Sequence, residues 1–236
     1  MDWDKTDIIR YLAKLWNYRS FLEICTPTTG NLFAKIDQSR FDACHRLMYR
    51  CPVDFADGLN IDFRSSGSDI EQCIAEIRRN GLHYDIILVD PWHEYETSFR
   101  DIELAFSLLI DSGAIVIHDC DPPTDDLINP QYSPGSWCGV TFIAYVDFLV
   151  QSSGLKYCTV DTDFGCGVIE KSGNSMNEAP IGPVALRRQW EAVRGDPGEA
   201  FRFMKTFRRS LLGLVRVDEF IRAEAEAMLA SQPAVS

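Results

Sequence analysis

Three observations predict an α/β protein built on a mostly parallel sheet. Residues 84–89 (YDIILV) and 114–117 (AIVI) are continuous apolar runs, each running into an acid, Asp90 and Asp119. Strands that do not alternate apolar and polar residues are buried on both faces, as strands of a parallel sheet are. The segments between such runs carry helical spacing, the pattern of βαβ units. Finally, residues 155–160 and 165–169 read as strands joined through Asp161-Thr162-Asp163, a link that permits only an antiparallel hairpin.

The elements follow in order. Ile8, Ile9, Leu12 and Trp16 recur at helical spacing, which predicts a helix over 4–16. Residues 20–24 form a short buried strand, after which Pro27 and Gly30 break the chain and 31–38 make one or two helical turns. Residues 43–49 and 60–64 are the next strands. Ile70, Cys73, Ile74 and Ile77 share one face of a helix that Gly81 closes. After the strand at 84–89, residues 98–111 form an amphipathic helix stopped by Ser112-Gly113. A loop rich in Pro and Asp over 121–137 precedes a helix at 140–150. The domain plan is an α/β unit over 1–170, a linker over 171–181 and a helical appendage over 182–236.

Composition narrows the function. With 23 Lys+Arg against 35 Asp+Glu, the 236-residue chain carries a net charge of −12. Phosphate-backbone affinity comes from basic side chains, so a nucleic-acid partner is not expected. No apolar run reaches the length of a membrane span. The acid-rich start lacks the pattern of an export leader, which predicts a cytoplasmic protein. The eight cysteines form no CxxC pair and read as small buried hydrophobes. Between 187 and 216 the charge reverses, with eight basic residues against three acids beside an apolar stripe of Phe201, Met204, Phe207, Leu211 and Leu212. A solvated helix face packed on the acidic domain is the favoured reading. Homo-oligomer formation through these helices is the alternative.

Phe21-Leu22-Glu23-Ile24, the string DIILVDPWHEYETSFRD over 85–101, and SGAIVIHDCDP over 112–122 together resemble the class I S-adenosylmethionine-dependent methyltransferases. One branch of that family reads roughly YLEIG, FDLIFIDGLHEYE…RDI and GGVIVxHDCNP at these places. The resemblance covers about residues 18–170. It implies a three-layer Rossmann-like fold of seven strands in the order 3-2-1-4-5-7-6, the last antiparallel. It also implies S-adenosylmethionine as cofactor, held by Glu23, Cys25, Gly30, Ser68, Asp69 and Asp90. In the metal-assisted members the corresponding acids hold a divalent ion, which makes Asp90 and Asp119 candidate Mg²⁺ ligands here. The implied reaction is methylation of an oxygen on a small molecule or a sugar or glycan-type acceptor.

Physical reasoning points to the same rim, because ligands of open α/β sheets bind beyond the carboxyl ends of the strands. His93 and His118 are the candidate general bases, with Asp90 placing the acceptor. If the strand still holds at 118–119, His118 and Asp119 point to opposite faces. Trp92, Tyr95 and Trp137 are candidate stacking residues, and Glu96 and Asp101 read as surface or capping acids. The first loop departs from the family pattern. Cys25-Thr26-Pro27-Thr28-Thr29-Gly30 retains one glycine, shifted by a residue, and the second strand ends in no acid. Two rival readings follow: a non-catalytic binding protein on the same fold, and a metal-dependent hydrolase using Asp90, His93 and Asp119.

Overall fold

The computed structural model describes residues 3–29, 32–152, 155–171 and 184–231. Gly30 and most of the expected 171–181 linker lie outside these. The chain opens with helix α1 (Lys5–Leu15), capped by a reciprocal pair in which Asp4 accepts from the backbone of Thr6 and Asp7 while Asp7 accepts from Asp4 N–H. Strands β1 (Ser20–Cys25), β2 (Ala43–Met48) and β3 (Phe63–Arg64) follow, then α2 (Glu71–Arg79), β4 (Tyr84–Val89), α3 (Tyr95–Leu108), β5 (Leu109–Ile117) and α4 (Thr141–Gln151). The hairpin β6 (Lys156–Val160) and β7 (Cys166–Glu170) leads to α5 (Val184–Val193), α6 (Pro197–Thr206), α7 (Arg208–Leu212), β8 (Leu214–Val215) and α8 (Val217–Ser231).

Among the described residues the sheet has eight strands, ordered β3-β2-β1-β4-β5-β7-β6-β8. The first seven reproduce the expected order. The hairpin is antiparallel within itself and β7 is antiparallel to β5. β8, parallel to β6, lies in a stretch expected to be wholly helical.

Two apolar layers flank the sheet. On one face α2, α3 and α4 pack with Trp190, Phe201, Met204, Leu211 and Leu212 of α5 to α7. On the other, α1 packs with Leu32, Phe33, Ile36 and Phe41, joined by Phe220 of α8. Helix α4 is buried from Thr141 to Leu149, because the sheet covers one side and α5–α6 the other. Its Asp147 is 2 % exposed and receives Trp190 Nε1 (2.7 Å), Arg194 Nη1 (2.5 Å) and Tyr95 Oη (2.7 Å). Asp121 similarly receives Lys205 (2.7 Å) and Arg208. Much of the basic run at 187–216 is therefore spent on buried acids of the sheet unit.

Several boundaries differ from those expected. Residues 32–37 form turns, followed by a 3-10 turn at Gln38–Arg40 capped by Asp37. The third strand shortens to two residues. Helix α3 begins at Tyr95 and ends at Leu108, and β5 starts directly at Leu109, with a register shift against β4 between Tyr84 and Ile86. Ser112-Gly113 thus lies within the strand. No helix among the described residues is long and apolar enough to cross a membrane.

Candidate active site

Strands β1, β4 and β5 end side by side, and a cavity of about 370 Å³ opens there. Asp90 follows β4 directly and is 1 % exposed. Its backbone is tied to the first loop, since Asp90 N–H donates to Ile24 O (3.0 Å) and Thr29 Oγ1 donates to Asp90 O (2.9 Å). Pro91 and Trp92 carry the chain to His93, three residues on. Beyond β5, His118 and Asp119 leave the strand.

Asp119 has φ 62°, in the left-handed region. The strand ends at Ile117, and this turn brings the Asp119 carboxylate back toward His118, with Nδ1 to Oδ2 at 3.1 Å. The condition for His118 and Asp119 to point to opposite faces, a strand that continues through them, is not met, because alternation stops with the strand at Ile117. Both residues line the cavity.

The two histidines are held differently. His93 Nδ1 lies 2.5 Å from Trp137 O, a carbonyl that can only accept, so Nδ1 carries the hydrogen. Nε2 faces Asp119 Oδ2 (3.0 Å) and Asp90 Oδ1 (3.7 Å), a contact that is attractive when a proton or a cation lies between these atoms. His118 is gripped at both nitrogens, by Asp119 at Nδ1 and by Asp163 Oδ2 at Nε2 (3.2 Å). Burial opposes a charge on His118, but Asp119 and Asp90 outweigh it and lift its pKa well above the ordinary value. Burial also works against ionised Asp163, yet His118 holds that carboxyl down at about 2. His118 is thus a fixed imidazolium, and His93 is the ring with a nitrogen open to the cavity.

Lys5 was not singled out from sequence. It enters from the first turn of α1, is 8 % exposed, and places Nζ 2.6 Å from Asp90 Oδ2. Burial disfavours its charge, but Asp90, Asp163 and Asp119 together raise its pKa above the ordinary lysine value. Asp90 in turn is held well below the usual carboxylate range: burial opposes this, and Lys5 and His118 prevail. The sequence did hold a signal. Lys5 falls on the same helical face as Ile8, Ile9 and Leu12, a place where a solvated lysine does not belong.

Asp90 Oδ1 and His93 Nε2 are buried without a hydrogen-bond partner among the described residues. One ligand atom each from Asp90, His93 and Asp119 lie within 4.8 Å of one another. Convergent orphaned acceptors, with the histidine's other nitrogen fixed on a carbonyl, are the usual surroundings of a metal ion. These residues fit a divalent cation. The imidazole makes the set a better match for Mn²⁺ or Zn²⁺ than for Mg²⁺, which favours oxygen throughout.

The other expected cofactor residues lie elsewhere. Glu23 and Cys25 are fully buried, and neither lines the cavity. Glu23 faces Arg46 across β1 and β2, with Nε to Oε2 at 3.4 Å, and Arg46 continues to Asp57 at 2.7 Å. Burial pushes the Glu23 carboxyl up to about 7, although Arg46 opposes the rise. Ser68 and Asp69 are exposed, and Asp69 accepts from Glu71 N–H at the start of α2 (2.8 Å).

Trp92, Tyr132 and Trp137 form an aromatic group at the cavity mouth, with ring centroids 5.0 to 5.3 Å apart. Tyr132 and Trp137 line the cavity, and Arg50 caps Trp92 at 4.4 Å. Tyr95 instead serves the α4 core through Asp147. Asp101, expected at the surface, is fully buried. Burial raises its carboxyl to about 6 against the pull of Arg100, and the Tyr49 hydroxyl bonds to it. That same Tyr49 oxygen accepts Trp92 N–H (2.5 Å), so the buried acid steadies the loop that carries His93.

No sequence-family model matches the chain, and no curated protein matches it in sequence. Solved structures do. The O-methyltransferase TomG from Streptomyces achromogenes, involved in tomaymycin synthesis and solved with S-adenosylmethionine, is 15% identical with a TM-score of 0.52. It matches over 72% of this chain and 80% of its own. A candidate caffeoyl-CoA O-methyltransferase from Staphylococcus aureus is also 15% identical, with a TM-score of 0.50 over 73% of this chain and 85% of its own. Cofactor-bound Rv0187 from MTB is 14% identical, at 0.50 over 72% and 80%. Identities this low speak to architecture. The chain has the Rossmann-like fold of the class I methyltransferases, with an eighth strand added beside the sixth.

Proposed function

We propose that the protein transfers a methyl group from S-adenosylmethionine to a hydroxyl oxygen of a small-molecule or glycan acceptor. The observation that carries this reading is the convergence of Asp90, His93 and Asp119 on one cavity at the carboxyl edge of a methyltransferase-type sheet. The cofactor supplies an electrophilic methyl on a cationic sulfur. Asp90 and Asp119, both ionised, offset that positive charge. His93 Nε2 is the base for the acceptor hydroxyl, its tautomer fixed by Trp137 O. His118, already charged and held by two carboxylates, keeps Asp119 in place and takes no proton. Alignment of acceptor, methyl and sulfur contributes most of the rate in such a displacement. The aromatic group at the mouth offers a flat apolar face to the acceptor ring. A divalent ion on Asp90, His93 and Asp119 would take the same Nε2 lone pair, so it would replace the histidine as base and supply Lewis-acid assistance to the acceptor oxygen instead.

Calorimetric titration with S-adenosylmethionine and S-adenosylhomocysteine tests the reading. Binding with a Kd below ~1 mM is expected for a usable cofactor. Absence of both interactions at that concentration overturns it. Tight metal binding in their absence favours the hydrolase reading, for which the Asp90-His93-Asp119 triad is the supporting observation.

A further inference from the structure

Lys5 presents a buried ammonium with one firm acceptor. Of its three N–H donors one is taken by Asp90 Oδ2 at 2.6 Å. The contact with His118 Nδ1 at 3.4 Å is not a second bond, because that nitrogen donates to Asp119. No other acceptor for Nζ occurs among the described residues. A buried ammonium with spare donors is costly unless a ligand completes it. Beside it Asp90 Oδ1 is a buried acceptor without a partner. Both residues line the cavity, next to Thr28 and Thr29 of the loop that follows β1. One spare cationic donor and one spare anionic acceptor, a few ångströms apart, form the complement of an α-amino-acid zwitterion.

We propose that Lys5 binds the α-carboxylate of an amino-acid-bearing ligand, with Asp90 Oδ1 facing its ammonium in place of a metal ion, so that α1 is part of the binding site. This rests on the methyltransferase reading, in which that ligand end is the homocysteine or methionine portion of the cofactor. Charge-assisted bonds of this kind are short and about twice as strong as neutral ones. The Lys5–Asp90 pair holds its own geometry before the ligand arrives, because the Lys5 backbone N–H is fixed on Asp163 Oδ2 at 3.1 Å. The ammonium therefore loses little freedom on binding.

The test compares three probes on the full chain by calorimetry: S-adenosylhomocysteine, its decarboxylated analogue, and 5′-methylthioadenosine, which lacks the whole amino-acid end. The wild-type protein is expected to prefer S-adenosylhomocysteine over the decarboxylated compound by about 10-fold or more. Lys5→Met is expected to erase that preference, leaving 5′-methylthioadenosine affinity within about twofold of wild type, and Lys5→Arg to restore part of it. Equal wild-type affinity for the first two probes overturns the inference without any variant, so a poorly folding Lys5→Met does not shield it. A Lys5→Met protein that weakens all three probes alike also overturns it. If S-adenosylhomocysteine does not bind the wild type, the methyltransferase reading itself falls. If it binds without discrimination, only the role of Lys5 does.

Discussion

Between β1 and β2, Glu23 and Arg46 face each other on adjacent strands with neither side chain exposed. Between β4 and β5, Asp90 and Asp119 sit almost as deep, yet their oxygens open on a cavity. Both places bury charge at the same edge of one sheet. At the first, Arg46 spans Glu23 and Asp57 inside the sheet, and the two Glu23 oxygens make no hydrogen bond among the described residues. The second leaves atoms unmatched: Asp90 Oδ1, His93 Nε2 and the spare donors of Lys5. Buried polar atoms in a native protein normally find partners. What differs is access: the Glu23 oxygens face an arginine within the sheet, whereas those of Asp90 and Asp119 open on the cavity.

Substitutions on the two sides should break that comparison cleanly. The largest effect is expected from His93→Asn, which removes the ring nitrogen proposed as base. Methyl transfer, followed by release of S-adenosylhomocysteine, should fall by about 10²–10⁴-fold, while the affinity for S-adenosylhomocysteine changes little. Arg46→Met should leave Glu23 protonated, since its carboxyl sits at about 7 even beside Arg46, and should cost about 1–3 kcal/mol through the lost ion pairs and hydrogen bonds. Urea unfolding should show a lower midpoint at unchanged slope. Asp119→Asn makes the contrast on the cavity side: it gives up the ion pair with His118, a loss of stability only partly offset by relief of repulsion with Asp90, and Mn²⁺ binding followed by calorimetry should be lost.

A half-buried acid at the opposite end of the strands provides a pH control. Glu170 packs beside Glu224, Lys156 and Tyr18; burial and Glu224 raise its carboxyl from 4.5 to about 7, against the pull of Lys156. The folded chain then binds this proton more tightly than the unfolded one. Its contribution is complete below about pH 4.5 and disappears as pH rises through about 7, for a loss of at most about 3 kcal/mol. Glu170→Gln should flatten that part of the stability profile, measured as Tm against pH. The smallest effect is expected at Asp69. Asp69→Asn should leave S-adenosylhomocysteine affinity within about twofold, because this exposed carboxylate caps α2 outside the cavity. A larger loss there would move the ligand's nucleoside end toward β3.

The parallel α/β class and the convergence of Asp90, His93, His118 and Asp119 on one edge were legible in sequence, because doubly buried strands announce themselves by unbroken apolar runs, while the strand order came from the resemblance to the class I methyltransferases. Three things were not. Lys5 meets Asp90 across 85 positions of chain, and only its place on the apolar face of α1 hinted at it. The turn at Asp119 depends on a backbone conformation that no side-chain pattern encodes. The burial of Asp101 followed from Tyr49 on a different strand's end, although Ile102 and Ala105 had placed that helix face inward. Local pattern reports what a residue's own element needs; it does not report partners brought in by other elements.

Gly139 lies at φ 54°, and a Cβ there would collide with the carbonyl oxygen and Cβ of His93. Val140 N–H bonds that same carbonyl (2.8 Å), and Trp137 O, two residues earlier, holds the His93 ring. The loop that shapes the cavity mouth and the residue proposed as base are therefore mechanically one part. The mouth loop is mostly exposed from 131 to 136, where Tyr132 and the positive φ of Gly135 are the constrained positions, and is buried at 137–140. Acceptor preference can drift in this architecture while the orientation of the imidazole is inherited unchanged.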